Sequence, residues 1–488
     1  MLARCILYKN LLARCFINIS GIIFDIVTKT NDRKYIFMPM KNKIIILLLL
    51  FIAQQNLLNA QTLIDDKSHL FKVSGYLRTG VGRSHNGDTQ AHFQVPGALN
   101  KYSLGNQADT YGELEFDYTH YLDTNKSKSI DAVWMTSIYE DFGTKNQMSY
   151  NFKEQIYLKF NNFLGRKETI WIGNRFCDRR AIHMLDRQWI NPGQKGWGMG
   201  IENLLDKESE EDVKFAFWFF RNKDVVSYKN SVEDHLYNYN FDARWINKPI
   251  NDKLNLSMAF NYSLRQKNDK LKYSLVHGLG LFSWLDYKHK NIENTTAVLF
   301  RYGANVSTDH WSGISYTENM SNTSYVTSDL SKAYSLEINS NFLYDDFDKF
   351  TVNLITMFVV RDYGTSPYNY INDESVYVAD RGRMMYWLSA GARGGYYISK
   401  YFRLTAEYTH EYVNNRQVDA EGHLNKVTFT PEFSLKKGFY SRPALRPFVN
   451  YAFWSDDLRG HIGDKPQGSP YSQKIKGLTY GLQFEIWW

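Results

Sequence analysis

Hydrophobic residues along this chain recur with period 2, the repeat of a β-strand whose side chains alternate between two faces. In "LNLSMAFNYSL", Leu254, Leu256, Met258, Phe260, Tyr262 and Leu264 share one face, opposed by Asn255, Ser257, Ala259, Asn261 and Ser263. In "RLTAEYTHEYV", Leu404, Ala406, Tyr408, His410 and Tyr412 oppose Arg403, Thr405, Glu407, Thr409 and Glu411. In "YGELEFDYTHY", Leu114, Phe116 and Tyr118 oppose Tyr111, Glu113, Glu115, Asp117 and Thr119. The chain ends in the same way with "YGLQFEIWW": Tyr480, Leu482, Phe484, Ile486 and Trp488 on one face, Gln483, Glu485 and Trp487 on the other.

A soluble β-sandwich would alternate too, with its polar face outside. Three features favour a transmembrane barrel. The strand-like stretches run about ten residues, enough to cross a bilayer at a tilt. Short polar turns such as "DTNKSKS" (Asp123 to Ser129), "NKPINDK" (Asn247 to Lys253) and "YDDFDK" (Tyr344 to Lys349) contrast with long connections such as Ser84 to Asp109. Tyr, Phe and Trp gather near strand ends, as interfacial girdles require. In lipid every backbone N–H and C=O needs an internal partner, so the sheet must close. The reading is therefore all-β, an antiparallel barrel of about 18 strands at roughly 24 residues per strand and connection, wide enough for a water-filled lumen. No separate plug domain is evident.

The amino end belongs to export. From Met40 the sequence "MKNKIIILLLLFIAQQNLLNAQ" has a basic start at Lys41 and Lys43, an apolar run from Ile44 to Ala53, and a small residue, Ala60, before Gln61; that order is a secretory signal peptide. Residues 1–39 read as an upstream mis-start or leader, 40–60 as the signal peptide and 61–488 as the barrel. The formal charge of +7 then shrinks: residues 1–60 hold 8 of the 58 Lys and Arg and 2 of the 51 Asp and Glu, leaving 50 against 49. Such balance offers nucleic acid no attraction. Cys177 alone of the three cysteines survives export, so an internal disulfide is excluded.

Enzymatic signals are weak. Glu113, Glu115 and Asp117 sit on one strand face, not across a cleft as a glycosidase pair would. His183 and Asp186 have neither a nucleophile motif nor a second histidine at ligand spacing. Glycines in "GWGMG" (Gly196 to Gly200) lack the strand and helix of a phosphate loop and fit a tight loop folded into a barrel. No catalytic residue, metal or cofactor is expected.

Several stretches together carry a resemblance: "SGYLRTGVG", "KYSLGNQADTYGELEFDY", "WIGNRFCDRRAIHMLD", "GIENL", "YSRPALRPFVNYAFW" and "FEIWW". In this order they are similar to landmarks of the maltoporins, the LamB-type sugar porins. The resemblance implies a homotrimeric 18-stranded channel of the outer membrane for maltodextrin-like oligosaccharides, with an inward-folded constriction loop. It implies an aromatic slide at Tyr76, Tyr111, Phe142, Phe300, Tyr440 and Trp487, and polar tracks at Arg78, Glu113, Lys153, Arg179, His183 and Asp186. The terminal aromatic strand would engage the barrel-assembly machinery, and membrane lipid and a second and third copy would be the remaining partners. A general diffusion porin, a porin for a different oligosaccharide, an outer-membrane enzyme and a soluble sugar-binding β-protein stand as alternatives. Departures touch the pore itself: Ser103 where the family has a basic residue, Ala181 where it has Asp, Gln188 in place of a constriction tyrosine, Tyr440 in place of tryptophan, and His92 and Ala108 in place of a first-loop disulfide.

Amino-terminal sequencing of the exported protein should begin at Gln61. A start upstream of Met40 would contradict the leader assignment.

Overall fold

The computed structural model describes residues 61–65, 68–98, 100–141, 148–190, 196–205, 210–226, 233–270, 274–308, 317–320, 323–326, 330–362, 369–371, 374–376, 384–416, 419–463 and 470–488. Eighteen antiparallel strands make a continuous wall. They begin with β1 His69–Ser84, β2 Asp109–Tyr121, β3 Ser129–Asp141, β4 Ser149–Asn161, β5 Thr169–Asn174 and β6 Trp197–Glu202. Next come β7 Asp212–Val226, β8 Glu233–Asn251, β9 Leu254–Arg265, β10 Val276–His289, β11 Ile292–Gly303 and β12 Tyr334–Asp345. The last six are β13 Phe350–Asp362, β14 Met384–Tyr397, β15 Phe402–Asn415, β16 Ala420–Ser434, β17 Ala444–Trp454 and β18 Lys476–Trp487.

Each strand pairs with its successor, and β18 returns to β1 in a register running from Tyr76↔Trp487 to Ser84↔Thr479. The sheet is closed. Where β18 stops, the five-residue strand Gln61–Asp65 pairs with the remaining part of β1, from Gln61↔Val73 to Asp65↔Leu70. Trp488 exchanges two backbone hydrogen bonds with Gly75 at 3.1 Å. Its ring lies across that glycine so closely that a Cβ there would sit 2.4 Å from it.

Side chains are distributed inside out. On the outer row Leu281 is 48% exposed, Phe429 49% and Tyr396 59%. On the inner row of β15, Arg403, Thr405, Glu407, Thr409 and Glu411 are all buried. A soluble sheet has the reverse arrangement, with apolar side chains inside. The longest connections, those after β1, β5, β11, β13 and β17, all leave the same end, and the other end, where no connection exceeds nine residues, marks the periplasmic edge of such barrels. His69, where β1 starts, and Trp487, where β18 stops, lie at that edge.

Local differences from the sequence reading have physical causes. "NKPINDK" is mostly strand, since β8 runs on to Asn251. "GWGMG" is no loop: Trp197 to Glu202 form β6. Its glycines face the inside, where a Cβ on Gly198 would sit 2.6 Å from the Trp218 ring and one on Gly200 2.6 Å from Trp171 Nε1. The exposed Trp197 and Met199 occupy the outer row between them.

Replacing Leu281 by Arg, which sets a charge on the outer face, should cost about 2–4 kcal/mol near the bilayer midplane. Urea unfolding of vesicle-inserted protein measures this, and an unchanged midpoint would deny that this face meets lipid.

Candidate functional site: an aromatic row inside the barrel

Two long connections fold against the inner wall from opposite sides. The first, residues 85–108, lies on β14 to β18: the Phe93 ring meets Trp454 at 6.0 Å and Tyr471 at 5.8 Å, and the Tyr102 and Ser389 hydroxyls are 2.7 Å apart. At its base the Ala108 N–H donates to His92 Nε2 at 3.0 Å, a buried hydrogen bond between these two positions. The second, residues 175–196, packs on β10 to β12 through its described part. Trp189 meets Trp284 at 5.7 Å, Arg301 Nη2 donates to the Trp189 carbonyl at 3.1 Å, and Arg187 pairs with Glu337. The connections meet each other where the Ser103 N–H donates to the Met184 carbonyl at 2.8 Å and Asn100 Nδ2 to the Asp186 carbonyl at 2.9 Å. A basic side chain at position 103 would have to leave this buried junction.

Beside the second connection, closure of the sheet sets a series of rings side by side. Tyr111 lies 6.1 Å from Tyr76, and Tyr76 lies stacked 6.4 Å from Trp487. Trp487 meets the His183 ring edge-on at 5.8 Å, and His183 meets Tyr440 at 5.9 Å. Five rings thus pass from β2 through β1 and β18 to the turn after β16. Trp487 and Tyr440 remain 36% and 42% exposed, so part of each side chain stays within reach of a ligand.

Charges fix these rings. Tyr111 donates its hydroxyl to Glu113 at 2.5 Å and Tyr76 to Glu485 at 3.1 Å. Arg78 binds Asp109 at 2.9 Å and Asp186 at 3.0 Å, and its guanidinium lies 5.9 Å from the Tyr111 centroid. Asp186 also accepts from Gln107 Nε2 at 2.9 Å, which ties both connections to β1. Arg179 reaches Glu113 at 3.5 Å and covers Phe176 at 4.7 Å. Behind the row the buried pairs Arg442 with Glu485 at 2.6 Å, Arg446 with Glu485 at 2.7 Å, Arg446 with Glu432 at 3.2 Å and Arg403 with Glu432 at 2.7 Å run across four strands. Removing one partner of such a pair strands the other charge.

Of the residues singled out from sequence, Tyr76, Tyr111, Tyr440, Trp487, Arg78, Glu113, Arg179, His183 and Asp186 converge here. Phe300 does not. It stands on the outer row of β11 between the exposed Val298 and Tyr302, while Leu299 and Arg301 are buried on the inner side. Lys153 is exposed at an irregularity between β3 and β4, where four residue steps on β4 (Asn151 to Gln155) oppose two on β3. Its neighbour Glu154 is the buried one, bonded by Ser137 at 2.9 Å. Gln188 is half-buried and pairs with Ala181 in the hairpin of the second connection. Phe142 lies outside the described residues. Sequence reading missed Glu485, two positions before Trp487 and so on its face, and Arg442, whose guanidinium lies 4.3 Å above the Trp487 ring. Cys177 is buried, and burial pushes its thiol up to about 12.

His183 Nε2 accepts a hydrogen bond from Arg442 Nη2 at 2.8 Å, which requires a neutral ring. Burial first, and then the Arg442, Arg393 and Arg446 guanidiniums, lower it to about 4 against the opposing pull of Glu485.

A closed antiparallel wall of this size, with a polar inside, an apolar outside and inward connections, defines an outer-membrane porin-type channel. The chain belongs to the LamB porin family, whose profile matches residues 71–488. Among solved structures it is similar to OmpF of Salmonella typhi in complex with daunomycin (12% identity, 87% of this chain and 99% of that one, TM-score 0.44). It is also similar to an anion-selective porin from Comamonas acidovorans (9%, 86% and 100%, 0.40). A third is Wzi of Escherichia coli, a carbohydrate-binding β-barrel involved in capsule assembly (11%, 90% and 87%, 0.38).

Because the native fold holds His183 neutral while an unfolded chain would protonate it near pH 6.5, stability should fall as pH drops from about 6.5 to about 4. The full loss is about 3 kcal/mol at 1.36 kcal/mol per unit. Comparing urea midpoints of the wild type and His183→Gln across this range measures that part of the slope, and identical slopes would contradict the assignment.

Proposed function

We propose that this porin conducts oligosaccharides, maltodextrins among them, by facilitated diffusion along the row Tyr111, Tyr76, Trp487 and Tyr440. The carrying observation is the juxtaposition of a row of aromatic rings, two of them partly exposed, with fixed charges. A sugar ring has an apolar face that rests on an aromatic ring and a rim of hydroxyls that exchanges hydrogen bonds with carboxylates and guanidiniums. Repetition at spacings of about 6 Å lets one contact form as another breaks, which favours passage over trapping. Glu113, Asp186, Arg78 and Arg179 serve as the hydroxyl partners, and His183, neutral with Nε2 taken up by Arg442, adds one donor, its Nδ1–H. The second inward connection, with Gln188 in its hairpin, narrows the passage. A glutamine there offers amide hydrogen bonds rather than a ring, which widens the range of sugars accepted.

In this reading the barrel works as a homotrimer in the outer membrane. Its last strand, ending in Trp487 and Trp488, is the segment presented to the assembly machinery. No chemical step is involved, since the carboxylates and guanidiniums of the row neutralise one another and none faces a nucleophile.

Planar-bilayer recording tests the proposal. Maltooligosaccharides should block the ion current reversibly, and Trp487→Ala should weaken the block about 3- to 10-fold, the equivalent of 0.5–1.5 kcal/mol for one aromatic contact. Current indifferent to every sugar would leave a general diffusion pore.

A further inference from the structure

At the periplasmic edge of the outer face, β1 and β2 carry a second cluster that the sugar path does not use. His69 and His120 are direct cross-strand partners. Their rings stack at 5.0 Å and 27°, with the two Nδ1 atoms 3.3 Å apart. The Tyr118 hydroxyl reaches His69 Nδ1 at 2.7 Å, and its ring stacks on His69 at 5.7 Å. The backbone beneath is held by the Tyr121 N–H donating to the Ser68 carbonyl at 2.9 Å. Both imidazoles are half-buried and Tyr118 is exposed, so the cluster is reachable from solution.

The His120 Nδ1 atom and the Tyr118 hydroxyl thus both crowd one nitrogen, His69 Nδ1, that has a single lone pair or a single N–H to offer. Two imidazole nitrogens sharing a tetrahedral Zn2+ at 2.0–2.1 Å would be about 3.3 Å apart, the separation found here. No second histidine or cysteine lies within four residues of either in the sequence; the strand pairing brings the two together.

We propose that His69 and His120 bind a first-row divalent cation, Zn2+ or Cu2+, through their Nδ1 atoms. Water completes the coordination, and the Tyr118 hydroxyl sits within hydrogen-bonding reach of that water. Imidazole suits both ions, with Cu2+ bound the more tightly of the two. The ion clips the first strand to the second near the point where the chain enters the barrel, and with two protein ligands it exchanges readily.

The test uses the full-length channel in detergent, stripped of metal by a chelator and titrated with Cu2+ at neutral pH. One Cu2+ per chain should bind, with an electron paramagnetic resonance spectrum showing two imidazole nitrogens, and Zn2+ should compete for it. His69→Gln and His120→Gln should each weaken binding about tenfold or more and reduce the nitrogen coupling, whereas His289→Gln, at the end of β10, should leave both unchanged. All are made in a His423→Gln background, which removes the other stacked histidine pair, His410 with His423 at 5.2 Å. Heat-modifiable gel mobility verifies that each variant is folded. The proposal is overturned if the His423→Gln background binds no stoichiometric Cu2+, if both edge variants keep full affinity, or if His289→Gln abolishes the signal.

Discussion

The structure depends on the seam between β1 and β18. A sheet in hydrocarbon cannot leave a row of backbone donors and acceptors unpaired, because each would cost several kcal/mol. The nine residue pairs from Tyr76↔Trp487 to Ser84↔Thr479 remove both edges at once. The same register builds the site: Tyr76 meets Trp487, and Glu485 comes within reach of the Tyr76 hydroxyl. Opening the seam would therefore dismantle the aromatic row along with the wall.

Around that seam the interior is organised by charge rather than by oil. Arg403, Glu432, Arg446, Glu485 and Arg442 alternate in sign across neighbouring strands, so each buried charge has an opposite partner. Such pairs add little net stability over an apolar core, but they specify geometry because a misplaced partner leaves a bare charge. Here Arg442 covers Trp487 and Glu485 holds the Tyr76 hydroxyl, while Trp487 and Tyr440 stay partly exposed. The inward connections use both means, Trp189 against Trp284 for packing and Arg187 with Glu337 for register.

Much of this was legible in the chain. The period-2 pattern marks the outer row of β9 and β15 and, at Tyr480 and Leu482, of β18, where Phe484 and Ile486 are instead buried, and two-residue spacing puts Arg78 beside Tyr76 and Glu113 beside Tyr111. Phe300 shows where similarity and parity conflict: similarity to the sugar porins points it inward, its alternation with Leu299 and Arg301 points it outward, and parity holds. Lys153 could not be read that way, because extra residues in β4 reset the alternation and turn Glu154 inward. The inward connections carry no periodicity at all, so their meeting at Ser103 and Met184 emerges only in three dimensions. His69 and His120, 51 residues apart in sequence, become neighbours only through register.

The central claim is that the closed seam creates a graded path rather than a single binding point. Its most direct test is the dependence of binding on sugar length, measured by current block with glucose, maltose and successively longer maltooligosaccharides in one reconstituted channel. Affinity should rise with each added unit until the row from Tyr111 to Tyr440 is covered, and then level off. Equal affinity at every length would contradict a row of contacts acting in series.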